Sequence, residues 1–285
     1  MKYTNNIFQQ INKLKRVLET SDAIVIGAGA GFSASAGLIY SGERFQKNFA
    51  DFIKKYGLKD MYSSVFYPYK SVEEFWAYMS RHIMLNRYEA IEAKPYHDLL
   101  DIVKNKEYFV ISTNADHCFS RTGFSKQRLF CTQGNYGLWQ CSIPCHKKTY
   151  NNKKIVLRMV AEQKECFIPS ILVPYCLQCN SPMVMNLRID GAFVQDQDWF
   201  EAQACYTDFV SKYSKISVLY LELGVGYNTP SIIKYPFWQY TLKNKKAIYA
   251  CINLDDAYAP EEIASQSICI DADIGEVLAF IKKSG

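Results

Sequence analysis

No stretch of the 285-residue chain approaches the roughly 20 consecutive apolar residues that a membrane span requires. The first 20 residues, MKYTNNIFQQINKLKRVLET, hold no apolar core of signal-peptide length. Internal repeats and low-complexity tracts are absent as well, which excludes a repeat architecture. Charge of one sign is scarce. The 33 Lys and Arg against 28 Asp and Glu leave a net +5, too weak a balance to indicate nucleic acid as the main partner. An acidic protein surface matches that balance better. These absences set the expectation of a soluble, cytoplasmic protein whose partners include neither nucleic acid nor a membrane.

What is present is enough to build a full core. With 49% hydrophobic residues, the chain can fold as one large domain or two modest ones. Ten cysteines would suggest a disulfide framework in a short secreted chain. In a chain of this length without a secretory signal, clustered cysteines more often bind metal or sit in the core, and spacing decides which.

Ile7, Phe8, Ile11, Leu14, Val17 and Leu18 recur at helical spacing, so the first 20 residues read as one amphipathic helix. DAIVIGAGAGFSASAGL then gives a short apolar run, glycines and small residues, the pattern of a strand, a tight turn and a helix. Further strand-length runs follow at YFVIST, SVLYLELGV, AIYACINL and SICID, most of them separated by room for a crossover helix. The expected fold is α/β, a Rossmann-like doubly wound parallel sheet. Residues 1–140 and 183–285 form its nucleotide-binding domain, residues 41–100 an aromatic-rich helical insertion, and residues 141–182 a small metal-binding module.

In GAGAGFSASAG, the backbone at Gly29 and Gly31 can approach a phosphate with no Cβ in the way, and a helix starting near Ser33 would aim free N–H groups at the anion. Glycine turns between strand and helix also serve packing, so the loop alone does not decide. The acidic residue that holds a ribose about 20 positions later in ordinary dehydrogenases has no convincing counterpart, which weakens simple hydride transfer. Cys141 and Cys145 are spaced C-x3-C, and Cys176 and Cys179 C-x2-C. Two such pairs can hold one tetrahedral zinc at about 2.3 Å with no open position, a structural site. His146 is a competing ligand beside Cys145. Cys118, Cys131, Cys166, Cys205, Cys251 and Cys269 read as packing residues.

GAGFSASAG, STNADH, QGN, the paired cysteines and INLDD follow one another in an order that resembles the sirtuins, NAD-consuming enzymes, over almost the whole chain. Gly29, Ala30, Gly31, Ser33 and Gly37 match the family's G-A-G-x-S-x-x-x-G loop. Asn114 and Asp116 match its Q-N-x-D signature, with Thr113 at the Gln position. QGN matches its H-G-N motif, with Gln133 where sirtuins carry the catalytic histidine. IYSGERF stands where P-D-F-R is usual, so Tyr40, Arg44 and Phe45 are candidates for the nicotinamide-side wall. PMVMNLRIDGAFVQD and GVGYNTP replace two further family segments. These departures resemble the macrodomain-linked, or class M, sirtuins. That resemblance implies protein ADP-ribosyltransferase activity, NAD as co-substrate and structural zinc. It also implies an acceptor such as a lipoylated glycine-cleavage-H-like carrier, and a macrodomain hydrolase acting on the product.

The resemblance also implies roles. Sirtuins break the bond between nicotinamide and ribose, and in deacylation histidine then takes a proton from a ribose hydroxyl. Gln133 has no accessible conjugate base near neutral pH, and losing such a base costs about 10²–10⁴-fold. Glycosidic cleavage itself needs positioning and stabilisation of a cationic ribose, which Asn114 and Asp116 would supply. A carboxylate acceptor arrives already ionised, so Gln133 suits ADP-ribosyl transfer by hydrogen-bonding ribose hydroxyls. His117 is a second candidate base. Asn186 and Arg188, at alternate positions of an extended run, would share one face at the substrate channel, with Arg188 attracting a carboxylate or steadying the transferring ribose. Gly224, Gly226, Asn228 and Asn253 are the candidates for the adenosine side. The basic stretch HKKTYNNKKIVLR is a candidate dock for an acidic carrier. A lysine deacylase with a rearranged base, and an NAD hydrolase or NAD-binding sensor, remain the alternatives.

Overall fold

A computed structural model of the chain describes residues 5–89 and 93–283. Residues 90–92 of the expected helical insertion, and the outermost residues of the expected nucleotide-binding domain, lie outside the described residues. The chain forms two compact units, one of residues 1–37, 92–133 and 198–285, the other of residues 38–91 and 134–197. The stretch 141–182 that carries the cysteine pairs thus shares the second unit with residues 38–91.

The first unit is built on a six-stranded parallel sheet. Its strands are β1 (Ala23–Ala28), β2 (Tyr108–Ser112), β3 (Leu129–Cys131), β7 (Val218–Leu223), β8 (Ile248–Asn253) and β9 (Ser267–Asp271), in the order β3-β2-β1-β7-β8-β9. Every residue of β1, β2 and β7 is buried, as expected of strands covered on both faces. The five apolar runs read from the sequence supply five of these strands. The three-residue β3 was not legible as a strand, because it is too short for a periodic signal. The amphipathic helix Asn5–Thr20 buries Ile11, Leu14 and Leu18. Phe109, Tyr220, Phe237 and Tyr249 belong to an aromatic-rich core cluster of this unit.

Strand order reverses direction between β1 and β7, the switch point at which open α/β sheets bind ligands. The turns leaving these two strands interlock backbone to backbone. Gly29 N–H donates to Leu223 O at 3.0 Å, Gly31 N–H to Gly224 O at 2.9 Å, and Gly224 N–H to Ile252 O at 3.0 Å. Gly224 has φ +59°, and a Cβ there would lie 2.5 Å from Phe32 N and 2.6 Å from the Gly31 carbonyl carbon. Neither contact is with a movable side chain.

The second unit holds the helices Gly42–Asn48, Ala50–Tyr56, Met61–Ser64 and Val72–Ile83, then a π-helical turn at Met84–Tyr88. Ser71 caps Val72–Ile83, its hydroxyl accepting from Glu74 N–H. Phe45, Phe49, Phe52 and Tyr78 stack on one another in its interior, and Trp76 meets Trp139 edge-on. A small antiparallel sheet orders β4 (Gly134–Cys141) between β5 (Tyr150–Asn151) and β6 (Met183–Leu187), followed in chain from β5 by the helix Lys153–Glu162.

Gly224→Ala is expected to destabilise the protein by about 1–3 kcal/mol, since the added methyl must displace backbone. Chemical denaturation followed by tryptophan fluorescence measures this, and an unchanged midpoint would contradict the interlock.

Candidate active site

Ser33 sits in the short helix Ala30–Ser35 directly after β1, and its buried hydroxyl meets three groups of the first unit. Asp116 Oδ2 is at 2.6 Å, Asn114 Nδ2 at 2.9 Å and the Tyr96 hydroxyl at 2.9 Å. A hydroxyl has one proton to give and two lone pairs. Asp116 takes the proton and the Asn114 amide nitrogen can only donate, so Tyr96 must donate as well. Burial, and then the charge of Asp116, push the Tyr96 phenol well above its usual pKa and keep that proton in place. The Ser33 hydroxyl is therefore saturated, which fixes the orientation of Asn114 and Asp116.

Asp116 Oδ1 accepts from Cys118 N–H at 2.8 Å, and the second Asn114 amide proton goes to Gly29 O at 2.8 Å. Asn114 Oδ1 has no hydrogen-bond partner among the described residues, and Asn114 is half-buried. It is thus an oriented acceptor suited to a ligand N–H or O–H. Gln133 follows β3, is half-buried, and its side chain makes no hydrogen bond to any described residue. His117 takes a left-handed conformation, φ 59°, at the start of the short helix Cys118–Arg121.

The glycine loop packs against the turn after β7. The N–H groups of Gly29 and Gly31 are engaged by Leu223 and Gly224, so they are not open to a phosphate. A Cβ on Gly29 would lie 2.6 Å from Gly224 O, and one on Gly31 2.8 Å from Gly224 Cα. Close approach is indeed the reason for both glycines, but the approaching group is the β7 turn. Ala30 opens the helix. Gly226 and Asn228 are exposed beyond that turn, and Asn253 ends β8 with its amide 3.5 Å from Asp256 O.

In the second unit, Tyr40 and Tyr136 join hydroxyl to hydroxyl at 2.9 Å, linking YSGER to QGNYG. The buried His82 ring contacts both tyrosines, and burial pushes its pKa down to about 3, with Arg44 adding to the effect. Arg44 is a clamp on the π-helical turn: its guanidinium donates to Asn86 Oδ1 at 2.9 Å, Leu85 O at 3.0 Å and Ile39 O at 3.1 Å. Consecutive residues of that turn reach separate segments. Asn86 accepts from Arg44, Arg87 donates to Asn135 Oδ1 at 3.3 Å, and the Tyr88 hydroxyl donates to Asn152 Oδ1. Such turns often mark functional sites.

Asn186 and Arg188 do not share a strand face. β6 stops at Leu187, and the buried Asn186 amide donates to Gln140 Oε1 at 2.8 Å and Val194 O at 2.9 Å. Asn186 thereby braces the chain after β6. Arg188 is exposed and lies over the Phe193 ring, 4.8 Å from its centroid.

Cys141, Cys145, Cys176 and Cys179 bring four sulfurs within 4.8 Å of one another. Cys141 and Cys179 are 3.5 Å apart, and Cys145 and Cys176 3.6 Å. A tetrahedral zinc with Zn–S near 2.3 Å places its sulfurs about 3.8 Å apart, so the cluster fits that ion and leaves no open position. His146 Nδ1 lies 3.0 Å from Cys145 Sγ, while its Nε2 meets the Tyr150 hydroxyl at 2.9 Å. The four thiolates need no fifth ligand.

Sequence reasoning missed Tyr96 as a partner of Ser33 and Tyr136 as a partner of Tyr40. Tyr96 lies 63 positions from Ser33 and carries no motif. Tyr136 was visible within QGNYG, but no local signal pairs it with Tyr40.

No protein-family model matches the chain. A protein ADP-ribosyltransferase of Staphylococcus aureus is 39% identical over 95% of this chain and 86% of its own length. A probable bifunctional ADP-ribose hydrolase/ADP-ribosyltransferase of Fusarium oxysporum is 29% identical over 93% of this chain, which spans 46% of that protein's length. A Sir2 protein bound to a propionylated peptide superposes with a TM-score of 0.58 at 18% identity, covering 96% of this chain and 98% of that one. A Sir2 complex with a p53 peptide and NAD+ gives a TM-score of 0.58 at 19% identity, with the same coverage of both chains. At these identities the solved structures show the fold, which is that of the sirtuins. The chain belongs to the sirtuin-type protein ADP-ribosyltransferases. Proteins of this kind act on protein substrates and use NAD, and the four-cysteine cluster is consistent with structural zinc. Among the described residues no helix is long and apolar enough to cross a membrane.

Ser33→Ala leaves the Tyr96 hydroxyl and one oxygen of Asp116 without their partner, at an expected cost of about 1–3 kcal/mol and a melting temperature lower by roughly 3–10 °C. Differential scanning calorimetry reads that shift. Purified protein is expected to carry one zinc per chain by elemental analysis, and Cys176→Ser to reduce that content and unfold the cysteine module on heating before the wild type does.

Proposed function

We propose that the chain transfers ADP-ribose from NAD to a carboxylate side chain of a partner protein, with a lipoylated glycine-cleavage-H-like carrier as the acceptor. The bond between nicotinamide and ribose C1′ breaks, nicotinamide leaves with the bonding electrons, and a carboxylate oxygen forms the new bond to C1′. Asn114 presents its Oδ1 to the nicotinamide half and Asp116 holds that residue in place through Ser33. Gln133 hydrogen-bonds the ribose hydroxyls. In this reading Ala30, Ser33 and the turns bearing Gly224, Gly226, Asn228 and Asn253 are assigned to the dinucleotide, Tyr40 and Arg44 to support of its nicotinamide end, and Arg188 to the acceptor. Residues 134–197 then serve as the module that carries the acceptor-facing groups.

The observation that carries this reading is the pairing of an oriented, unpartnered acceptor at Asn114 with an amide rather than an imidazole at Gln133. An amide supports positioning and cannot remove a proton. A carboxylate acceptor needs no such removal. A macrodomain hydrolase acting on the product is consistent with the Fusarium relative, whose name joins an ADP-ribose hydrolase to an ADP-ribosyltransferase.

Labelled NAD is expected to mark the carrier on acidic residues, identified by mass spectrometry. Asn114→Ala should lower the rate by about 10²–10³-fold. Gln133→Ala should lower it about tenfold, as loss of one hydrogen bond in the transition state, and Gln133→Glu should retain transfer. Free ADP-ribose as the sole product would establish an NAD hydrolase instead, and turnover of an acylated lysine peptide a deacylase.

A further inference from the structure

Between residues 141 and 161 the chain carries five Lys and Arg and not one Asp or Glu. Lys147, Lys148, Lys153 and Lys154 are exposed, and among the described residues none of the four forms an ion pair, whereas Arg158 pairs with Glu162. Two of the ammonium groups rest on aromatic faces, Lys148 at 5.6 Å from the Tyr150 centroid and Lys153 at 5.6 Å from that of Tyr88. Asp196 approaches this strip by accepting from the Thr149 hydroxyl. That contact goes to Thr149 and not to any of the four lysines.

The helix dipole disfavours two of these charges. Lys153 and Lys154 are the first two residues of the helix Lys153–Glu162, the end at which the helix dipole favours anions, and no acid occupies that first turn. A solvated face placed only for solubility would more readily put acids there. Asn152, just before them, cannot cap the helix because its side chain is committed elsewhere. Its Nδ2 donates to Tyr136 O at 2.8 Å, its N–H donates to Gly137 O at 3.1 Å, and its Oδ1 accepts from Tyr88. Lys153 and Lys154 therefore follow directly on a buried asparagine that is fastened to Tyr136 and Gly137, within four residues of Gln133 in the chain.

We propose that Lys147, Lys148, Lys153 and Lys154 form the docking surface for an acidic protein, the acceptor of the ADP-ribosyl group. The inference deepens the transfer reaction proposed above and rests on it. Carboxylates of the partner meet the four unpaired ammonium groups. This steers encounter and holds the acceptor against the second unit, in a manner that weakens as salt rises.

The test compares wild type, the quadruple variant K147E/K148E/K153E/K154E, and the control K243E/K245E/K246E. Fluorescein-labelled poly-L-glutamate reports docking, and a lipoylated glycine-cleavage-H-like carrier with labelled NAD reports transfer. The quadruple variant is expected to bind poly-L-glutamate at least tenfold more weakly and to raise KM for the carrier at least tenfold. Its kcat at saturating carrier, and its carrier-free nicotinamide release, should match wild type. The control should behave as wild type in every assay. Melting of the quadruple variant should equal or exceed that of wild type, because Lys153→Glu and Lys154→Glu relieve an unfavourable interaction with the helix dipole. Equal carrier KM in wild type and quadruple variant would overturn the docking surface while leaving the transfer reading intact. Strip-dependent binding of poly-L-glutamate without any transfer to the carrier would support the surface and reject that acceptor. Tighter strip-dependent binding of duplex DNA, or of phosphatidylglycerol vesicles, than of poly-L-glutamate would overturn the proposal.

Discussion

The backbone contact between the turns after β1 and β7 governs the first unit. Gly31 N–H meets Gly224 O, and Gly224 has a left-handed conformation that brings its Cα against Gly31 with no Cβ on either side. This contact closes the switch point of the sheet at backbone resolution. It also starts the helix that carries Ser33, which in turn orients Asn114 and Asp116. A chain of fixed groups thus runs from two glycines to the amide and carboxylate of the candidate active site. Movement in the first is felt in the last, because the steps are short hydrogen bonds joined through one short stretch of chain.

The proposed chemistry turns on what an amide at Gln133 is unable to do. The fold is that of the sirtuins, and the half-buried residue after β3 is an amide, which accepts and donates hydrogen bonds but offers no base near neutral pH. In the reaction proposed above, glycosidic cleavage rests on positioning and no later proton removal is needed. The chain belongs with the protein ADP-ribosyltransferases.

In the second unit one π-helical turn coordinates several segments. Asn86, Arg87 and Tyr88 are consecutive, yet they contact Arg44, Asn135 and Asn152 respectively. Tyr40 and Tyr136 close the same network from the other end. Arg44 and Asn186, read from sequence as ligand-facing, act here as internal braces with their polar groups engaged. Their residue types are those of binding residues, but a guanidinium and a primary amide are equally the side chains best able to satisfy several buried carbonyls at once.

The sequence by itself determined the sheet, the cysteine cluster and the family. Continuous apolar runs bounded by glycine mark buried parallel strands whatever surrounds them, and close cysteine pairs carry their own ligand geometry. It also singled out Ser33, Asn114, Asp116 and Gln133 through ordered motifs. Only the tertiary structure decided which partners these groups have. That Gly29 and Gly31 make room for the β7 turn, that Tyr96 completes the Ser33 hydroxyl, and that β6 ends before Arg188 all depend on contacts between residues far apart in the chain. Periodicity and spacing report neighbours within a turn or a strand. The saturation of a hydroxyl's one proton and two lone pairs is a property of three-dimensional coordination, and no local pattern encodes it.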